Sequence, residues 1–166
     1  MYNTIVASGY GADYQIDIIV YDRFEYHKYK YILCVIDIYS RFACCRAMTS
    51  RKNETIFEEL KSIFDEMGLP KAINADNEFR KTMLTDSFDE NNITCYFSQP
   101  DEINKNSIVE RFNRTLCGLL NKYRLATGKY NWYAWLNDVV NNYNTTYHRM
   151  IKTTPLKIKE GSDKNH

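Results

Sequence analysis

An apolar stripe at helical spacing between Val109 and Tyr123 constrains the fold of this chain more than any other feature. Phe112, Leu116, Leu119, Leu120 and Tyr123 follow Val109 at offsets of three, seven, ten, eleven and fourteen, which predicts a helix within 104–128 with one side against a core. On the adjoining face Glu110, Asn113, Arg114, Cys117 and Asn121 project together, so a carboxylate, an amide and a guanidinium share the start of the helix. Glu110 then has two readings. Ser107-Ile-Val-Glu110 fits a capping box in which Glu110 reaches back to the Ser107 backbone. Alternatively, Glu110 belongs to a set of carboxylates with a chemical role.

The rest of the chain supplies two more isolated acids, each at a predicted strand. Tyr14 to Tyr21 is β-branched and aromatic apart from Gln15 and Asp17, and reads as a largely buried strand. A lone buried carboxylate is costly unless it is paired, protonated or bound to a metal, so Asp17 demands a salt bridge or a chemical reason. Lys71 to Ala75 is a short strand that ends at Asp76.

With 166 residues, 44% of them hydrophobic and 14% aromatic, and with only six Gly and three Pro, the chain can bury a sizeable core in one domain. It opens on no signal-like segment, and no apolar run approaches the roughly 18 residues of a membrane span, so a soluble intracellular protein is expected. Cys34, Cys44, Cys45, Cys95 and Cys117 are scattered through apolar segments without metal-ligand spacing and read as reduced core residues. The formal net charge is only +1, but its distribution is uneven. Lys105, Arg111, Arg114, Lys122, Arg124 and Lys129 stand against the single acid Glu110 between Ile103 and Tyr130, a pattern that fits either a solvated helix face or a polyanion-binding one.

In chain order, residues 1–12 are expected to form an arm, 13–159 the core domain and 160–166 a polar tail. Tyr29 to Ile38 and Arg41 to Met48 predict an antiparallel hairpin that completes a three-stranded meander with the first strand. Asn53 is placed to cap a crossover helix striped by Ile56, Leu60, Phe64 and Met67 and stopped by Gly68 and Pro70. A helix is expected within 79–91, a fifth strand over Ile93 to Phe97, and a mobile polar loop over Ser98 to Lys105. A last helix, capped by Asn131, carries Trp132, Trp135, Leu136, Val139, Val140, Tyr143 and Tyr147 toward a core or subunit interface.

Five segments in this order resemble the catalytic core of retroviral-type (DDE) integrases. They are Asp17-Ile-Ile, Val35-Ile-Asp-Ile-Tyr-Ser-Arg41, Asn74-Ala-Asp-Asn-Glu-Phe79, Ile108-Val-Glu-Arg-Phe-Asn-Arg-Thr-Leu116, and Tyr143-Asn-Thr-Thr-Tyr-His148 with Thr154-Pro155. Within that family the likeness is greatest to integrases of Maverick/Polinton elements and related viruses. The resemblance implies an α/β, RNase H-like fold, a five-stranded mixed sheet flanked by helices. It puts the acidic triad on Asp17, Asp76 and Glu110, as catalytic residues and metal ligands. Lys105, Arg111, Asn113, Arg114 and Arg124 are implied as DNA-binding residues.

What the resemblance implies chemically is in-line displacement at a phosphodiester with Mg²⁺ or Mn²⁺, two ions with DNA bound, held by hard carboxylate oxygens. Water as nucleophile gives 3′-end processing; a freed 3′-hydroxyl gives strand transfer into target DNA. The implied partners are double-stranded DNA, as element ends and as target, and further copies of the chain in a homo-oligomer; the implied location is the host nucleus if the host is eukaryotic. A nuclease of the same fold, and an inactive DNA-binding or oligomerisation module, are the other readings. One departure matters. The family commonly reads Asp-x-Gly-x-Glu-Phe where this chain has Asp76-Asn-Glu-Phe79, two residues shorter, and only 33 residues separate Asp76 from Glu110. Asp76 is expected to remain the ligand with Glu78 as its neighbour, while a tightened turn that brings Glu78 to the metal is the competing arrangement.

Overall fold

The computed structural model describes residues 7–98 and 106–163. The elements are β1 (Asp13–Val20), β2 (Tyr31–Asp37), β3 (Ala43–Met48), α1 (Asn53–Met67), β4 (Ala72–Asp76), α2 (Thr82–Glu90), β5 (Thr94–Ser98), α3 (Ser107–Thr127), α4 (Trp132–Asn144) and α5 (Pro155–Asp163). They form one five-stranded sheet in the order β3-β2-β1-β4-β5, with β1, β2 and β3 antiparallel and β4 parallel to both β1 and β5. The mixed, RNase H-like architecture read from the sequence is therefore the one observed.

Strand periodicity sorts the side chains between two cores. Tyr14, Ile16 and Ile18 of β1, with Leu33 and Val35 of β2 and Ile73 and Ala75 of β4, pack beneath Ile56, Leu60, Ile63 and Met67 of α1 and Leu84 and Phe88 of α2. Ile32, Cys34 and Ile36 face the other way, against Val109, Phe112, Leu116 and Leu120 of α3 and the aromatic side of α4. By the same alternation Gln15 and Asp17, the polar residues inside β1, lie on the α3 side, as do Asn74 and Asp76 of β4. Polar atoms on an otherwise apolar face mark where α3 has to be held, and where chemistry can sit.

Several local expectations are corrected. Asn53 caps nothing: it is the first residue of α1, whose N-cap is Lys52, and no side chain caps that end. The turn between β2 and β3 is longer than Tyr39-Ser40, because the buried Asp37 carboxylate accepts from the Ser40 N–H at 2.7 Å, the Ser40 hydroxyl at 2.6 Å and the Gly11 N–H at 3.0 Å. Residues 77–79 form a 3-10 turn and α2 starts only at Thr82. Tyr147 is 62% exposed and lies beyond α4.

The chain ends also differ from the expected arm and tail. Tyr10 donates to the Met67 carbonyl at 2.8 Å, and the Gly11 carbonyl accepts from the Lys71 N–H at 2.9 Å, so 10–12 belong to the packed body. Helix α5 runs across the boundary expected at residue 159. The loop expected over Ser98 to Lys105 falls, after Ser98, outside the described residues.

The outer edge of β3 is closed by a side chain. Asn144, at the end of α4, accepts from the Ala43 N–H at 3.0 Å and donates to the Ala43 carbonyl at 2.8 Å, as a sixth strand would. Asn144→Ala leaves both buried backbone groups unpaired and is expected to cost about 2–3 kcal/mol. Urea unfolding of the variant checks this; a loss below about 0.5 kcal/mol, the range of an ordinary surface change, would mean that the edge is held by other means.

Candidate active site

Three carboxylates meet where β1, β4 and the following turn come together. Gln15 pairs with Asn74 in the parallel β1–β4 ladder, and two residues further along each strand stand Asp17 and Asp76, on the same side of the sheet. The turn after β4 then returns Glu78 to the group, so that one carboxylate oxygen from each of Asp17, Asp76 and Glu78 lies within 4.8 Å of the others. The turn is fixed at both ends, since Asp76 Oδ1 accepts from the Glu78 N–H at 3.0 Å and the Phe79 side chain is fully buried. Sequence reasoning treated Glu78 as a neighbour of the site. The shortened turn was the signal that it could be more.

Asp17 occupies the most polarised position. Burial, with the charges of Asp76 and Glu78 added, pushes its carboxyl up to about 6, against the opposing pull of the Ile18 N–H and the Asn113 amide. Asn113 Nδ2 donates to Asp17 Oδ2 at 2.8 Å, so the amide expected to face DNA instead orients this carboxylate. No cation forms a salt bridge with Asp17 among the described residues.

Glu110 stands apart from that group but on the face that adjoins it. Asn106, Glu110 and Asn113 follow one another at offsets of four and three along the start of α3. Asn106 donates to Ser98 Oγ at 3.0 Å, Ser98 being the β5 partner of Asp76, while Asn113 reaches Asp17. Glu110 lies between these two anchors, exposed, its N–H donating to the Asn106 carbonyl at 3.0 Å and its carboxylate without a hydrogen-bond or ion-pair partner among the described residues. The capping box is not formed. Ser107 is already inside the helix, Asn106 is the N-cap, and the Val109 N–H donates instead to Gln15 Oε1 on β1 at 2.8 Å.

The basic residues divide. Arg111 and Arg114 are exposed near Glu110, whereas Arg124 sits about 21 Å further along the helix axis, over the Phe24 ring at 3.9 Å and bonded to Asn121. Lys105 lies outside the described residues. Arg51, from the β3–α1 connection, forms an ion pair with Glu78.

The donor set suits a hard divalent cation. All three converging groups are carboxylates, and opposite oxygens of an octahedral Mg²⁺ shell stand about 4 Å apart, close to the spread seen here. The buried Asn113 Oδ1 has no hydrogen-bond partner among the described residues, an orphan acceptor beside Asp17 that ion-bound water can satisfy.

A mixed sheet in this strand order, with Asp17 and Asp76 on one side of two adjacent strands, defines an RNase H-like fold. The chain matches the integrase core domain over residues 10–102 and belongs to that family. The matched segment contains Asp17, Asp76 and Glu78 and stops before Glu110. A transposon-derived protein of Caenorhabditis elegans is 36% identical over 136 residues, covering 79% of this chain and 46% of that protein, so the chain spans less than half of that relative. Among solved structures, a chain of the simian T-cell lymphotropic virus intasome, in complex with PP2A regulatory subunit B56 gamma, superposes with a TM-score of 0.85 at 17% identity, over 94% of this chain and 57% of that one. The HTLV-2 integrase catalytic core domain in complex with magnesium, in its trimeric form, gives 0.76 at 22% identity, over 93% and 99% of the two chains. These two likenesses are of fold. No helix among the described residues is long and apolar enough to cross a membrane.

Because the folded-state value of Asp17, about 6, lies above its ordinary 3.8, the metal-free folded chain holds this proton more tightly than the unfolded chain does. As pH rises from about 4 to about 6 the wild type is expected to lose stability relative to Asp17→Asn, with a constant gap above that range, on the order of 3 kcal/mol. Urea unfolding of both proteins in chelator across this range measures it. A gap independent of pH would mean that Asp17 carries no such strain.

Proposed function

We propose that the chain is the catalytic core of a DNA integrase, a polynucleotidyl transferase that cleaves 3′ ends and joins them to target DNA, with Asp17, Asp76 and Glu110 as its catalytic carboxylates. The observation that carries this reading is Asp17 itself, half-buried, raised to about 6, and held beside two further acids with no cationic partner among the described residues. A purely structural carboxylate would be expected to have a cation or a full set of donors, as Asp37 has.

Each residue has a task in this scheme. Asp17 and Asp76 would hold the divalent cation from the sheet, and Asn113 fixes the carboxylate plane of Asp17. Glu110 approaches from the exposed side of α3. Mg²⁺ or Mn²⁺, two ions with DNA bound, supplies a deprotonated attacking oxygen and neutralises charge on the phosphoryl and leaving oxygens. Arg111 and Arg114 meet DNA phosphates beside the acids, and Lys105 and Arg124 extend that contact along the duplex, adding affinity without base specificity. The substrates are double-stranded element or viral ends and target DNA. Homo-oligomeric assembly, work in the nucleus where the host is eukaryotic, and an origin among Maverick/Polinton elements and related viruses complete the reading, the last supported by the five segments of sequence resemblance.

Asp17→Asn, Asp76→Asn and Glu110→Gln are each expected to bring Mg²⁺-dependent cleavage and joining to background while the variants remain folded. Wild-type turnover in any of them removes that residue from the triad; were Glu110 only a helix cap, its loss would cost about 0.5–2 kcal/mol of stability and leave catalysis measurable. Assaying cleavage and joining separately decides between an integrase and a nuclease, and absence of both in the wild type points to an inactive module. Arg114→Ala is expected to weaken DNA binding across sequences and to reduce the salt slope by about one; an unchanged slope would make Arg114 a solvated surface residue.

A further inference from the structure

Arg51 and Glu78 form the ion pair nearest the acidic centre, and their surroundings give the pair a use. The Glu78 backbone has little freedom, tied by its N–H to Asp76 Oδ1 and by the buried Phe79 that follows it. From that fixed point its carboxylate remains within reach of Asp17 and Asp76, yet it is bonded to the Arg51 guanidinium. Arg51 in turn stands over the Tyr31 ring at 5.5 Å, a second attachment that keeps the cation at this rim of the site. Because Asp76 Oδ1 already receives the Glu78 N–H, Asp76 has its other oxygen for a cation, and Glu78 is the nearest group that can make up the donor set.

We propose that Arg51 is a built-in counter-ion that competes with the divalent cation for Glu78, and that cation binding draws Glu78 into the centre as an additional ligand and releases Arg51. The inference rests on the reading of Asp17 and Asp76 as metal ligands. Without a metal, three acids in close array repel one another, and the guanidinium offsets part of that charge. With a metal, the competition is uneven. The side chains of Arg51 and Glu78 are 40% and 27% exposed, and ion pairs of that exposure are weak, so a divalent cation coordinated by Asp17 and Asp76 displaces the guanidinium at small cost. The short turn after Asp76 leaves Glu78 near enough to take this part.

Calorimetric titration of the whole chain with Mg²⁺ or Mn²⁺ alone, without DNA, tests the idea. Arg51→Ala is expected to tighten cation binding about two- to fivefold, the range an exposed ion pair can supply. Glu78→Gln is expected to weaken it by at least the roughly tenfold that loss of even an outer partner costs. In the double variant the gain from Arg51→Ala should disappear, since Arg51 acts through Glu78 and not through its charge alone. The Arg51 guanidinium NMR signal should shift on Mg²⁺ addition in the wild type and stay fixed in Glu78→Gln, a response that a merely structural ion pair does not give. A gain that persists in the double variant, or single variants that bind like wild type while Asp17→Asn abolishes binding, overturns the competition and leaves the metal centre standing. Wild-type affinity in Asp17→Asn overturns the centre itself, and the competition with it. Should Glu78→Gln fail to fold, the Arg51→Ala titration and the wild-type NMR shift still decide.

Discussion

The hydrogen bond from the Val109 N–H to Gln15 Oε1 is the interaction on which the site depends. Helix α3 begins with backbone donors that its own turns cannot satisfy, and the usual remedy is a local cap. Here the acceptor comes from a fully buried glutamine in β1, 94 residues earlier in the chain. One contact therefore ties α3 to β1 across the sheet, beside the position where Asn113 reaches Asp17.

Around that anchor the polar groups of an otherwise apolar layer are gathered in one place. Gln15, Asp17, Asn74 and Asp76 share a sheet face whose other members, Ile32, Cys34 and Ile36, pack against the stripe of α3 and against α4. Burying such groups is unfavourable unless each finds a partner, and most do. Asp37 illustrates the satisfied case, with three donors around its two oxygens. Burial still raises the Asp37 carboxyl above the usual carboxylate range, whereas Asp17 has a single side-chain donor, Asn113, against both burial and two neighbouring acids. The metal-free fold tolerates this because the rest of the layer is well packed, and the strain is concentrated where a cation would relieve it.

The rim of the site follows a different logic from its floor. Arg51, Arg111 and Arg114 are attached to the β3–α1 connection and to the solvent side of α3, where charges are cheap to hold and easy to redirect. The floor fixes geometry through buried bonds of the strands and the α3 terminus. The rim carries exposed guanidinium groups, one of them paired with Glu78.

The sequence by itself determined the fold class and most of the elements, because the signals are local. Largely apolar, β-branched and aromatic runs marked β1 and β2, and the Val109 to Tyr123 stripe marked α3. That Asp17 and Asp76 share one side of the sheet follows only from the Gln15–Asn74 register. Local pattern failed where a partner lay far along the chain. Asn53 looked like a cap and is not one, and Ser107 with Glu110 looked like a capping box that Gln15 makes unnecessary. That α5 follows, and that Tyr10 is bonded to the end of α1, left no periodic trace strong enough to read. Only the tertiary structure decided that Glu78 joins Asp17 and Asp76, that Arg51 meets it, and that Asn113 belongs to Asp17. The Arg51–Glu78 and Asn113–Asp17 contacts join residues 27 and 96 positions apart, and are set by strand register and by the height of one helix over one strand, quantities to which no single segment of sequence is sensitive.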